Sequence, residues 1–220
     1  MPNFSYSYPM KFILTLAIAF LCSFQLIAQS EVSDAIPFEK LKASKQEIKR
    51  GGTIDIYSYE GEYFTGVAIE KKLTTYFLYH IKNGKKHGEI THYTKGNRKK
   101  MEWVYQKGIL RIEREWYSDG DLKSETEFNK KSRLKTEKEW YRNSELKAKL
   151  KYGRRSDRYQ VKHYSKKGKI SEKGMEIHIE SGKKIVTKKI GKWVYYDRHG
   201  KRKKVEVYDE KGDLISSKKH

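Results

Sequence analysis

Hydrophobic and polar positions alternate along Leu110-Arg-Ile-Glu-Arg-Glu-Trp116. Leu110, Ile112 and Trp116 are set against Arg111, Glu113 and Glu115, with Arg114 the one polar residue on the apolar side. A period of two predicts a strand with one half-buried face. Leu122, Ser124, Thr126 and Phe128 repeat the alternation more weakly, as do Leu134, Thr136, Lys138 and Trp140. Between the first two strands, Ser118-Asp119-Gly120 predicts a hairpin. A two-residue Asp-Gly loop would pair Trp116 with Lys123 and split the apolar sets between two faces. A three-residue loop with Gly120 left-handed pairs Trp116 with Leu122 and keeps one apolar face, so this register is expected. At Gln106-Lys107-Gly108 the same test leaves both registers open.

The strand-and-turn unit recurs. An aromatic residue precedes a glycine or small polar residue at Tyr93…Gly96, Tyr105…Gly108, Tyr117…Gly120, Phe128…Ser132, Tyr141…Ser144, Tyr152-Gly153, Tyr164…Gly168, Tyr196…Gly200 and Tyr208…Gly212. Successive aromatics from Tyr93 are 12, 12, 11, 13, 11 and 12 residues apart, and the pattern stretches only across 165–195. Self-similarity at a fixed short period is the mark of a repeat architecture. Gly66, Gly84, Gly88 and Gly191, with Trp116, Trp140 and Trp193, complete the repeat-defining positions. Lys82-Asn83-Gly84-Lys85 reads as a hairpin turn in which Asn83 and Gly84 take positive φ, with Gly88 starting the next strand. It has neither the spacing of a phosphate loop nor a following helix.

The N-terminus breaks the pattern. Met10-Lys11 leads into FILTLAIAFLCSFQLIA, residues 12–28, a charged start, an apolar run and a small terminal residue as in a secretory signal peptide. Residues 1–28 are expected to be removed on export, to a periplasmic, envelope or secreted location. The alternative is an uncleaved anchor in the inner membrane, for which the run is short. Cys22 lies in this segment, so the mature chain has no cysteine and no disulfide. Residues 29–52 are expected to form a linker or a short helix, 53–215 the repeats, and 216–220 a tail.

The chain has 220 residues, of which only 36% are hydrophobic, yet it carries 17 Tyr and 4 Trp. That balance suits an extended thin sheet with aromatic faces rather than a thick core. Tyr59-Glu-Gly-Glu-Tyr-Phe-Thr-Gly66, Lys82-Asn-Gly-Lys-Lys-His-Gly88 running into Tyr93, and Gly191-Lys-Trp-Val-Tyr-Tyr-Asp-Arg-His-Gly200 leading to Tyr208…Gly212 resemble MORN-type repeats. They are most similar to the bacterial YwqK-family variant associated with toxin-antitoxin systems. Over about residues 55–215 the resemblance implies stacked β-hairpins of roughly 23 residues in a long antiparallel sheet. The middle units carry Ser132 and Ser144 in place of glycine, and an irregular hairpin is expected across 165–190. The family label also implies an antitoxin-like inhibitor of a partner as one alternative function.

Catalytic chemistry finds little support. Glu113/Glu115, Glu125/Glu127 and Glu137/Glu139 recur with the fold period, beside Lys123 and Lys135 on the same expected face. This fits cross-strand charge pairing better than a glycosidase pair, which occurs once and in a cleft. His87 and His92 point to opposite faces of a strand, and His80, His163, His178, His199 and His220 have no ligand spacing. No Gly-x-Ser-x-Gly elbow is present. The expectation is no enzyme, no cofactor and no metal.

Charge is what remains. The net charge is +21, and about +20 once residues 1–28 are gone, since they hold one lysine and no acid. Basic residues gather near turns, with Lys85, Lys86, Arg154, Arg155, Lys201, Arg202, Lys203 and Lys204 the named candidates for anionic contact. Interleaved aromatics could stack on single-stranded nucleic acid, but export argues against nucleic acid as the counterpart. An acidic protein partner, an anionic envelope polymer or acidic lipid headgroups fit better, while lysines also protect sheet edges from aggregation. The expected function is a protein-interaction scaffold at the cell envelope, with binding of an anionic polymer or lipid through the basic turns as the alternative.

Overall fold

The computed structural model describes residues 32–48, 52–153, 157–181 and 184–220. The expected signal segment lies outside them, as do Arg154 and Arg155. The first strands in order are β1 (Ile36–Pro37), β2 (Lys42–Glu47), β3 (Thr53–Tyr59), β4 (Glu62–Tyr63), β5 (Gly66–Lys71), β6 (Thr75–Lys82), β7 (Lys85–Thr94) and β8 (Lys99–Gln106). They continue as β9 (Ile109–Trp116), β10 (Leu122–Phe128), β11 (Leu134–Trp140), β12 (Leu146–Tyr152) and β13 (Arg158–Tyr164). The last four are β14 (Ile170–Ser181), β15 (Lys184–Tyr196), β16 (Arg202–Tyr208) and β17 (Leu214–Lys219). The fold is the all-β, elongated antiparallel meander that the alternation predicts. β5 to β17 lie side by side in sequence order, β1 adds a parallel edge, and together they make a 14-stranded sheet. A second sheet has the order β2-β3-β4.

Two turn types explain the regularity. In the longer one, Tyr117 N–H donates to Asp121 O at 2.8 Å and Gly120 N–H to Tyr117 O at 3.1 Å, with Gly120 at φ 102°. Trp116 therefore faces Leu122 as expected, but the bulge beside it sets Ser124 opposite Glu115 and Glu127 opposite Ile112, so Ser124 and Thr126 lie on the other face from Ile112 and the expected single apolar face is not kept. The same pair of hydrogen bonds closes the turns at Asn129–Arg133 and Tyr141–Glu145, where Ser132 and Ser144 take φ of 56° and 60°. The repeat thus survives loss of its glycine, at a cost of about 1 kcal/mol for a left-handed residue with a Cβ. In the shorter type both central residues are left-handed: Asn83-Gly84 at 50° and 72°, and Lys107-Gly108 at 53° and 81°. The second settles the open register, pairing Gln106 with Ile109. Gly88 does not start β7 but lies within it, at φ 83° beside the register shift opposite Tyr79 and Ile81.

Several expectations are corrected. The described residues of 29–52 are mostly strand rather than linker or helix: β1 pairs with β5, Phe38 stacks on Tyr79 with ring centroids 4.2 Å apart, and β2 pairs along its whole length with β3. Among the described residues, helix is confined to residues 32–33 and a 3-10 turn at Phe38–Lys40. Lys42–Glu47 carries no apolar alternation because all six residues are exposed, so backbone pairing alone fixes it as a strand. The expected tail belongs largely to β17, the exposed last strand of the large sheet. The 165–190 region is a hairpin of the two longest strands, shifted in register near Gly174.

The glutamate pairs do not share one face. Arg114 faces Glu125 across β9 and β10, while Glu115 faces Ser124, so Glu125 and Glu127 lie opposite in face to Glu113 and Glu115. Lys123 accordingly pairs with Glu115 at 2.8 Å on one face and Lys135 with Glu127 at 2.9 Å on the other. Arg114, the polar intruder in the sequence pattern, bridges Glu102 at 2.6 Å and Glu125 at 2.9 Å. Lys99 and Lys138 close the ends of this ladder, at 2.7 Å and 2.8 Å. The opposite face carries the core cluster of Tyr152, Tyr159, Val161 and Trp193, against which Leu134, Leu150, Tyr195 and Tyr208 pack.

Candidate anion-binding grooves on one turn edge

Turns of an antiparallel meander alternate between the two long edges of the sheet. The turns at 83–84, 107–108 and 130–132 therefore share one edge. β3 lies across the first two of them. Tyr57 N–H donates to Gly84 O at 2.7 Å, and Gly84 N–H donates to Phe64 O at 2.8 Å. A Cβ on Gly84 would stand 3.0 Å from Tyr57 O, and one on Gly108 would stand 3.1 Å from Ile54 Cδ1. Glycine at these two positions thus serves both the left-handed turn and the close passage of β3.

Two grooves flank this crossing. The larger opens where β3 begins, with an apolar floor of Ile54, Tyr105, Ile109 and Leu110 and a cationic wall of Arg111, Lys130, Lys131 and Arg133. The smaller lies between Ile56 and Tyr63 on one side and Lys82, Lys85, Lys107 and His87 on the other. Neither has a carboxylate among its described lining residues. Arg111 donates from Nε to Gln106 Oε1 at 3.3 Å, but its Nη1 is buried with no hydrogen-bond partner. Guanidinium nitrogens without an acceptor invite a carboxylate or phosphate oxygen.

The basic residues singled out from the sequence are dispersed. Lys85 lines the smaller groove. Lys86 is turned inward, paired with Asp55 at 3.2 Å and set over the rings of Tyr57 and Tyr105. Burial works against its charge, but the neighbouring Tyr57, Tyr105 and Asp55 outweigh that and hold the ammonium above its ordinary range. Lys204 is likewise engaged, 2.7 Å from Glu206 and over the Tyr195 ring. Lys201, Arg202 and Lys203 are exposed around the turn at Asp197–Lys201, on the opposite long edge from the grooves. Sequence reading missed Lys107, Arg111, Lys130, Lys131 and Arg133, because only the crossing of β3 makes a groove beside them. The available signal was the 24-residue interval between Gly84 and Gly108, together with the acid between two isoleucines in Ile54-Asp55-Ile56.

The repeat-defining aromatics serve the sheet. Tyr117 and Tyr141 each donate a hydroxyl hydrogen bond at 2.8 Å to a backbone carbonyl 23 residues on, of Trp140 and Tyr164. These latches tie each turn to the next turn on the same edge. Tyr93 stacks on Tyr76 with centroids 5.0 Å apart, and Tyr196 lies under Lys173. At position 96 the glycine itself is not left-handed; Asn97 beside it takes φ 58°.

His87 and His92 are not brought together as ligands. His87 Nδ1 accepts from Lys107 N–H at 3.4 Å, and the His92 ring stacks on Phe77 at 4.2 Å. Burial, then Lys100 and Lys72, push the His92 imidazole below its ordinary range and keep it neutral. Among the described residues no three His, Cys, Asp or Glu side chains gather to hold a metal ion, and no helix is long and apolar enough to cross a membrane.

No family model and no curated protein matches this chain. Among solved structures, the chain is similar to a mutant of S. aureus TarM in complex with fondaparinux, alpha-GlcNAc-glycerol and UDP. The identity is 13%, the match covers 68% of this chain and 31% of that one, and the TM-score is 0.21. The chain thus spans under a third of that protein's length, and a likeness at that score carries no inference about fold or function.

Proposed function

We propose that the protein is an exported, non-enzymatic scaffold of the MORN-like kind that holds an anionic partner at the cell envelope, along the turn edge crossed by β3. One observation carries the reading: the two grooves on that edge are lined by cations and apolar groups with no carboxylate among their described residues. The sheet faces differ in this respect. There, from β8 to β11, Glu102, Glu115, Glu125, Glu127 and Glu139 are each paired with a lysine or arginine. Export is inferred from the apolar run at residues 12–28.

The test is binding of the purified chain to heparin, used only as a generic polyanion, over a salt series. Binding is expected at low salt and to weaken by about tenfold or more between roughly 50 and 200 mM, as several released counterions require. Absence of binding at low salt overturns the reading. For export, the N-terminus of the chain recovered from fractionated cells is expected to begin near Gln29.

A further inference from the structure

The polar lining of the smaller groove consists mainly of hydrogen-bond donors. Lys82 and Lys85 flank the turn at Gly84, and Lys107 comes from the next turn on that edge, two strands away. Two interstrand spacings make about 10 Å, a gap that flexible lysine stems reaching in from both sides can close. None of the three ammoniums has an ion pair or side-chain hydrogen bond among the described residues. His87 accepts the Lys107 backbone N–H at Nδ1, which leaves its ring proton on Nε2 as a further donor. Thr65 Oγ1 accepts from the Asn83 backbone N–H at 2.9 Å and donates to Asn83 Oδ1 at 3.4 Å, so the Asn83 side-chain amide keeps its N–H groups free. Apolar surface lies beside these donors. Ile56 is buried, while Tyr63 rests its ring edge against Gly84 and is 71% exposed.

We infer that this groove binds a phosphate monoester carried on an aromatic or heteroaromatic ring. The inference rests on the reading of this edge as an anion site and names the ligand of its smaller groove. A phosphate monoester brings three strong acceptor oxygens and a charge of about −1.5 to −2 at neutral pH. Three ammoniums and the N–H groups of His87 and Asn83 offer more than a carboxylate, with one charge and two oxygens, can take up. Lysine meets phosphate as a mobile point charge, without the fork geometry that arginine brings to a carboxylate. The ring of the ester would lie against the uncovered Tyr63 ring, a contact that inorganic phosphate cannot make. A phosphotyrosine side chain of a partner protein and a nucleoside monophosphate share this chemistry.

The experiment is calorimetric titration of the full chain, in phosphate-free buffer at low salt, with phenyl phosphate, inorganic phosphate and benzoate. Phenyl phosphate is expected to bind about tenfold more tightly than benzoate and about fivefold more tightly than inorganic phosphate, and to weaken as pH falls through about 6, where the second phosphate proton returns. Tyr63→Ala should abolish the preference over inorganic phosphate and leave inorganic phosphate binding unchanged. Lys107→Asn, a substitution that tolerates the left-handed backbone at that position, should weaken both phosphates about tenfold. Lys166→Gln/Lys167→Gln, on the opposite edge, should alter neither, and unchanged far-ultraviolet circular dichroism verifies that each variant is folded. Phosphotyrosine in a short glycine-serine peptide, compared with adenosine 5′-monophosphate, separates the two sources, the tighter binder naming the source. If benzoate binds as well as phenyl phosphate, or the groove variants leave phenyl phosphate binding unchanged, or phenyl phosphate does not bind while heparin does, the phosphate-ester inference fails and the broader anion reading stands. If neither phenyl phosphate nor heparin binds at low salt, both fail.

Discussion

Glu206 shows how single residues are held on a sheet with little aliphatic core. Its carboxylate accepts from Lys204 at 2.7 Å, from the Tyr195 hydroxyl at 2.6 Å and from the Tyr208 hydroxyl at 2.8 Å. The Lys204 hydrogen bond, followed by that of Tyr195, pulls its pKa from the ordinary 4.5 down to about 2. Burial, then the same carboxylate, pushes the Tyr195 phenol up to about 12. A folded-state pKa below the unfolded value means that the stabilisation is fully present above about 4.5 and is lost as pH falls towards about 2. The chain should therefore lose stability across that window, while Glu206→Gln should be less stable than the parent at neutral pH by about 2 kcal/mol and show a flatter acid limb. Urea midpoints from neutral pH down through that window would show this, and parallel curves for the two proteins would refute it. Arg114 is a related case. Its place on the apolar side of the pattern looks like a defect in sequence, yet it is the centre of a ladder that neutralises the buried Glu102. Alternation alone could not reveal it, because the partners come from neighbouring strands.

Among the elements, the hairpin of β14 and β15 departs most from the repeat, and its reason is local. Gly174 leaves room for the Trp193 ring: a Cβ there would lie 2.4 Å from ring carbons, and Trp193 is fully buried, with Nε1–H donating to Met175 O at 2.9 Å. Gly120 differs, with φ 102° and open space where a Cβ would go. Gly174→Ala should therefore cost about 3 kcal/mol through overpacking against a ring that cannot withdraw, and Gly120→Ala only about 1 kcal/mol through its left-handed backbone. Chemical denaturation followed by tryptophan fluorescence would rank them, and the reverse order would show that the Trp193 pocket yields. The element-level legibility follows from the same physics. The strand-and-turn order from β7 to β12 is legible in the sequence because an aromatic residue followed by a left-handed turn residue recurs at the strand ends. β2 is not, because a strand exposed on both faces has no periodic signature. The opposed faces of the glutamate pairs are hidden for a related reason. The five-residue turn inserts one extra residue at its flank, so a 12-residue period alternates faces from strand to strand.

At the scale of the whole molecule, each strand from β6 to β16 touches chiefly its two neighbours, so stability is a sum of local strand pairs rather than the property of one core. The pairs are unequal. The buried aromatic cluster joins β12, β13 and β15, whereas β17 is exposed along its length, with Leu214 and Ile215 at 55% and 66% exposure. The N-terminal edge is capped, since Phe38 stacks on Tyr79 and β3 crosses the turns at Gly84 and Gly108. Opening should begin at β17 and progress inwards, with amide hydrogen exchange slowest in β13 and β15 and faster by at least about a hundredfold in β17, equivalent to roughly 3 kcal/mol of local stability. Uniform protection, collapsing in one cooperative step, would show that coupling along the sheet exceeds what neighbour contacts supply. The gradient bears on the grooves as well. The smaller is flanked by the turn at Gly84, which bonds to Tyr57 of β3, and the larger lies where Ile54 packs on Gly108, so both sit on the better-anchored half of the edge.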